Sequence, residues 1–262
     1  MSIVASQAIP EQEPEITQLS SNYLNVRKAV GWIGSLLPFG LLAGNLFATF
    51  NLPYSMSGYY YTPMRDLFVG TLCALGVFLI FYVGYDAWDR WVTNVSGVGM
   101  IGVAFLATKP TVCAATAKVC VPPAVAKLTT FLNVRGDIHL CFAAVAFLAL
   151  GFMALRFTIS SSTEDKPPGS FAGWLKIAFG FAPLASDDLR TPAKRLRNVV
   201  YRVCGFTIFG CVVLAVVSNF LPSAAKNAVP LLFIFEALAT FAFGVSWLVK
   251  GQTMLVPRSM KD

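Results

Sequence analysis

Six apolar stretches, each close to the length needed to cross a bilayer, leave this chain one kind of fold. A membrane helix needs about 20 predominantly apolar residues to span roughly 30 Å of hydrocarbon. Residues 30–50, 67–85, 91–107, 138–157, 199–221 and 228–249 each approach that length. Lipid offers no partner to backbone N–H and C=O groups, so such stretches must satisfy them internally as helices. The expected fold is all-α: a polytopic membrane bundle of six transmembrane helices within residues 29–250. Charge content agrees, since 13% of residues are charged where a soluble domain carries about a quarter.

Sidedness follows from where the cations fall. With the N-terminus in the cytoplasm, thirteen of the twenty lysines and arginines lie in inner segments and six in outer loops, Arg202 being within the fifth stretch. That asymmetry obeys the positive-inside rule, so both termini are expected to be cytoplasmic. The net charge of +7 is then read as topology and not as a nucleic-acid surface. The basic run at 190–202 suits anionic headgroups of membrane lipids. Residues 1–28 read as a mobile cytoplasmic tail, and 251–262 as a second one. The inner loop 159–198 carries Phe171, Trp174, Leu175, Ala178 and Phe179 at helical spacing, which predicts a short interfacial helix over 171–181.

Ionisable and amide side chains near spans are costly and need an account. Under this topology the outer half of the bundle collects Asn45, Arg65, Asp66, Asp137, His139 and Glu236. Their convergence predicts an outward-facing polar cavity. Arg65 would meet an anionic group there, with Asp66, His139 and Glu236 forming the hydrogen-bonding wall. Helix capping is a competing account of Asp66 and Asp137, and a bond to a backbone carbonyl is one for His139. At the inner face Asp86, Asp89, Arg90 and Arg202 are expected to form structural ion pairs among the second, third and fifth spans. Cys113 and Cys120 lie in an outer loop, where an oxidising exterior permits a disulfide.

One histidine makes bis-histidine haem or a multi-histidine zinc centre impossible within the chain, and no metal or cofactor is expected. No H-E-x-x-H, P-loop or G-x-S-x-G sequence occurs. The expected activity is therefore non-enzymatic binding of a lipid or small amphiphile. The alternatives are a membrane-embedded lipid hydrolase or transferase with His139 as general base, a small-solute transporter, and a structural or partner-binding subunit. Gly40 and Gly44 form a G-x-x-x-G pair that permits close helix approach, within the bundle or in a homo-oligomer or complex with a partner subunit.

The run Y-Y-x-T-P-x-R-D-x-F-V-G at 59–70 is the most specific motif. With Gly84-Tyr85-Asp86, Asn94, Gly97 and Gly136-Asp137-Ile138-His139, it resembles a bacterial membrane family known as domain of unknown function 998. The likeness covers roughly residues 50–155. It implies the six-helix topology and directs attention to Arg65, Asp66, Asp86 and His139, but it implies no activity. In layout the chain is also distantly similar to DRAM/Sfk-type membrane proteins.

Overall fold

A computed structural model of the chain describes residues 12–48, 51–84, 86–112, 119–121, 130–159, 171–178 and 192–253. Its helices are α1 (Gln12–Ala48), α2 (Arg65–Ile80), α3 (Ala87–Phe105), α4 (Thr130–Arg156), α5 (Phe171–Ala178), α6 (Pro192–Ser218), α7 (Ser223–Ala228) and α8 (Leu231–Lys250). Six of them close into a ring in the order α1, α2, α3, α4, α6, α8, with α8 packed back onto α1. Four are long and apolar enough to cross a membrane, over Ser21–Phe47, Thr130–Arg156, Pro192–Ser218 and Leu231–Lys250, which makes the chain an integral membrane protein. The other two ring members are shorter. At 1.5 Å per residue, α2 with 16 residues reaches about 24 Å and α3 with 19 reaches about 28 Å.

Small residues set how closely the ring closes. A Cβ built on Gly31 would lie 2.7 Å from Leu248 Cγ, so α1 and α8 pack backbone to backbone there. On the α2–α3 seam Gly76 and Gly97 face each other, and a Cβ on Gly97 would meet the Gly76 carbonyl at 2.6 Å. Gly40 and Gly44 carry less of this load. Gly40 has only ordinary contact with Leu67, while Gly44 faces the flexible end of Met64. The tight approach lies one to three turns earlier in α1, because that is where α8 runs alongside.

Two boundaries differ from the sequence expectation. Residues 12–28 belong to α1 instead of forming a mobile tail. The cause is packing: Tyr23 stacks on Tyr82 at 5.4 Å between ring centroids, and Arg27 is buried with its Nη2 donating to the Tyr82 hydroxyl at 3.0 Å. A helix whose inner turns gain aromatic and cation–π contacts does not fray. The second difference is α7, a short helix in the connection between α6 and α8. The anticipated helix near 171 does form as α5, with Leu175 packed on Leu155 and Ile159; residues 179–181 lie outside the described residues.

The end of the ring between α1 and α2 is closed by a plug. Residues 53–59 are all buried, and Met56–Tyr61 form a 3-10 helix capped by Ser55, whose Oγ accepts from Gly58 N at 3.1 Å. A parallel strand pair, β1 (Leu52–Pro53) with β2 (Val119–Cys120), covers the plug. Tyr54 ties it down on two sides: its N–H donates to the Cys120 carbonyl at 2.9 Å and its carbonyl accepts from Phe233 N at 2.8 Å. Short irregular backbone of this kind survives at a bundle end where local bonds such as these satisfy its N–H and C=O groups.

Candidate functional site

Glu236 lies in the second turn of α8, on a helix that is otherwise apolar until Ser246 apart from Thr240. Its Oε2 accepts a hydrogen bond from Met56 N at 2.6 Å, so the carboxyl adds a side-chain latch between plug and α8 beside the Tyr54–Phe233 backbone bond. Oε1 has no partner among the described residues. Thr240, one turn further, donates its hydroxyl to the Glu236 carbonyl at 2.7 Å and touches Met56 Sδ at 4.0 Å.

Two spaces border this residue. The first is a small interior cavity at the centre of the ring, bounded by Met56, Ser57, Phe68, Met100, His139 and Glu236. It leaves ≈ 50 Å³ for the centres of water-sized spheres. A single water needs about 10–15 Å³ by that measure, so the cavity suits a few waters and no headgroup. The second is a crevice of ≈ 220 Å³ between α4, α6 and α8, lined by Leu140, Ala144, Phe147, Val216, Phe235 and Glu236 among others. Leu140, Ala144, Val216 and Asn219 are exposed at its rim, so it opens outward through the α4–α6 seam. Its size exceeds the roughly 150 Å³ that holds a benzene ring. Ala143, Phe147 and Glu236 border both spaces. A wider groove of ≈ 340 Å³ between α3 and α4 contains no ionisable group except the Cys141 thiol.

Of the outer-half residues singled out in the sequence, only His139 and Glu236 share a space. His139 is buried, and its Nδ1 lies 2.5 Å from the Leu106 carbonyl at the end of α3. A carbonyl accepts, so Nδ1 carries the proton and the ring is held in one tautomer. The remaining residues correct the expected polar wall. Arg65 is exposed and donates to the Tyr60 hydroxyl at 3.0 Å while stacking on that ring at 4.5 Å. Asp66 is exposed in the first turn of α2, where the helix dipole favours it. Asp137 pairs with Lys109 at 3.0 Å on the surface. Asn45 is buried but its amide donates to the Asn51 carbonyl at 3.3 Å, closing the loop after α1. Each is spent on local structure, and none borders the two spaces at Glu236.

The opposite end of the ring holds the ion pairs, with a different cation from those expected. Asp86 caps α3, its Oδ1 accepting from Asp89 N at 2.8 Å. Arg156, in the last turn of α4, donates through Nε to Asp89 at 2.8 Å and through Nη2 to Asp86. Arg90 is exposed and Arg202 half-buried, and the cation that bridges the two carboxylates is Arg156. The reason is antiparallel geometry: α4 runs back along α3, which brings its C-terminal cation onto the acidic start of α3. Arg156 was legible from that argument, since a cation in the last turn of one span faces acids in the first turn of its neighbour. Met56 and Ser57 were not, because nothing local marks a loop that folds into the bundle.

Cys120 is disulfide-bonded, whereas Cys73, Cys141, Cys204 and Cys211 are free; Cys113 lies outside the described residues. Comparison of the chain with protein families, with curated proteins and with solved structures finds no match. The fold and site thus define a class only: a helical integral membrane protein with a carboxyl set between an interior cavity and a crevice open at the ring surface.

Proposed function

We propose that the chain is a six-span protein of a bacterial inner membrane, both termini cytoplasmic, that binds a lipid or small amphiphile non-catalytically. The amphiphile's apolar part would occupy the α4–α6–α8 crevice and its polar end would meet Glu236. The observation that carries this reading is the crevice itself, an apolar slot of ≈ 220 Å³ whose lining includes one carboxyl residue, Glu236. Ligand sites are mostly apolar with a few placed polar groups, which is the composition here.

Support for six spans comes from the ring, because α2 and α3 sit between crossing helices and also face outward with large apolar side chains such as Val77, Val95, Val98 and Phe105. Surfaces of that kind are tolerated in lipid and not in water. Support for sidedness comes from the cations Arg27, Arg156 and Lys250 gathered at one end, and from the disulfide of Cys120 at the other. Native mass spectrometry of the gently solubilised protein tests the binding reading. A small-molecule adduct retained by the wild type and lost in Ala144→Trp, which fills the crevice mouth, is the expected result. An adduct indifferent to Ala144→Trp would place the ligand elsewhere.

One observation favours a second reading. His139 and Glu236 border the same water-sized cavity, the minimum for acid–base hydrolysis of a bound lipid ester. That reading requires fatty-acid release from lipid in mixed micelles, abolished by His139→Ala while crevice binding persists.

A further inference from the structure

The chemistry at the end of the crevice restricts what can be bound there. Resting on the binding role proposed above, we infer that the ligand is a lipophilic amine, a long-chain base whose nitrogen meets the Glu236 carboxyl.

Three observations carry this. First, neither of the two spaces is lined by a lysine or arginine among the described residues; the cation at the crevice rim, Lys226, donates to the Asn219 carbonyl at 2.7 Å and does not line the slot beside Glu236. Arg65, the cation that the sequence offered for such a group, is bound to Tyr60 on the surface. Second, the crevice offers acceptors in excess of donors. Glu236 Oε2 is satisfied by Met56 N, but Oε1 is left with no protein donor. The other polar side chain, Asn219, lies at the rim and already donates through Nδ2 to the Ala215 carbonyl at 3.0 Å. A ligand that completes the site therefore brings hydrogen-bond donors. Third, an ionised carboxyl inside the membrane is strongly disfavoured unless paired. A protonated amine supplies both the missing donor and the missing charge, in the stronger class of hydrogen bond. A fatty acid would set carboxyl against carboxyl, and an alcohol would supply a donor without the charge.

Two sources share this chemistry: a single-chain amine, and the amino headgroup of a phospholipid. The site favours the first. Glu236 is the sixth residue of α8, about 8 Å below its start, and a phosphoethanolamine head would bring a phosphate into a slot that no lysine or arginine lines among the described residues.

The test uses the full-length protein in uncharged detergent micelles, titrated near neutral pH with radiolabelled dodecylamine, dodecanol, dodecanoate and lysophosphatidylethanolamine. Dodecylamine is expected to bind about tenfold or more tighter than dodecanol or dodecanoate. Glu236→Gln, which keeps the side chain's size and an acceptor for Met56 N, should remove that preference and leave alkyl-chain binding. Ala144→Trp should weaken every probe alike and leave Glu236 untouched, which separates blocking from loss of charge. Glu236-dependent binding of the lysophospholipid as well would extend the amine class to headgroup amines. Equal binding of amine, alcohol and carboxylate, indifferent to Glu236→Gln but abolished by Ala144→Trp, overturns the amine and keeps the crevice. No probe binding at all, or binding indifferent to Ala144→Trp, overturns both.

Discussion

The two ends of the ring treat buried charge in opposite ways. At one end, carboxylates meet a guanidinium: Asp86 and Asp89 both engage Arg156, with Asp89 fully buried and Arg156 only 5% exposed. Around them an aromatic core joins the helices, with Trp247 stacked edge-on against Tyr82 at 4.8 Å and Phe157 at 5.4 Å. Toward the other end a single carboxyl, Glu236, meets a neutral backbone N–H and open space. At the first end the two carboxylates have their charge answered by a guanidinium of the protein itself, the arrangement of a structural ion pair. A carboxyl held by one N–H, in a residue that borders open volume, has bonding capacity that the protein itself does not use. On the binding role proposed above, the difference marks Glu236, and it does so without reference to how many polar residues each end contains.

The comparison breaks most visibly at Arg156. Arg156→Ala strands Asp89 in the core, and removing one partner of a buried ion pair costs about 3–5 kcal/mol. Thermal unfolding followed by size-exclusion in detergent should show a large loss or no folded protein. Adding Asp86→Asn and Asp89→Asn to Arg156→Met should restore much of it, because the penalty is the unpaired charge and not the missing guanidinium. A triple variant as unstable as Arg156→Ala would mean that the ion pairs do more than hold helices together.

Next in size is the plug latch. Loss of a hydrogen bond to a carboxyl is worth about 1.5–3 kcal/mol, enough to raise transient opening about tenfold or more. Ser57 is 7% exposed, so a Ser57→Cys variant should react slowly with a membrane-impermeant maleimide. Glu236→Ala should speed that reaction by about this factor, and Glu236→Gln much less, because its amide oxygen still accepts from Met56 N. Unchanged labelling in Glu236→Ala would show that Tyr54 and the strand pair hold the plug alone. The two ends would then differ less than the geometry implies.

Much of the architecture was legible in the sequence because hydropathy reports on lipid directly. All six apolar stretches coincide with ring helices, although α2 is too short, and α3 with Asp89, Arg90 and Asn94 too polar, to be recognised as crossings by themselves. The site was legible only in part. Depth placed Arg65, Asp66, Asp137, His139 and Glu236 in one half of the bundle, but depth says nothing about azimuth. Arg65 and Asp137 face outward and found partners on the surface, Tyr60 and Lys109. Glu236 stood out because no capping or surface role suits a carboxyl in the second turn of an apolar helix, whereas Asp66 had such a role and took it. The partner of Glu236 could not be foreseen: a backbone N–H leaves no signature in side-chain chemistry.

The smallest expected effect bears on how tightly the plug fits. Tyr59 is fully buried at 0% exposure, packed against Phe233 at 5.8 Å, and its hydroxyl has no hydrogen-bond partner among the described residues. Burial pushes its phenol up to about 12 from 10.0. An unsatisfied buried hydroxyl costs about 1 kcal/mol or more, so Tyr59→Phe should raise stability by about that amount. The sign of the pH effect follows from the raised value. Folding favours the neutral phenol, so its contribution is intact below pH 10.0 and is lost as pH rises toward about 12. Wild type and Tyr59→Phe should therefore diverge in thermal stability across that window, the variant keeping what the wild type loses. A Tyr59→Phe variant that is less stable at neutral pH would mean that the hydroxyl is bonded in solution, through water at the plug. The plug end would then be as well satisfied as the charged end, and the contrast between them would rest on Glu236 alone.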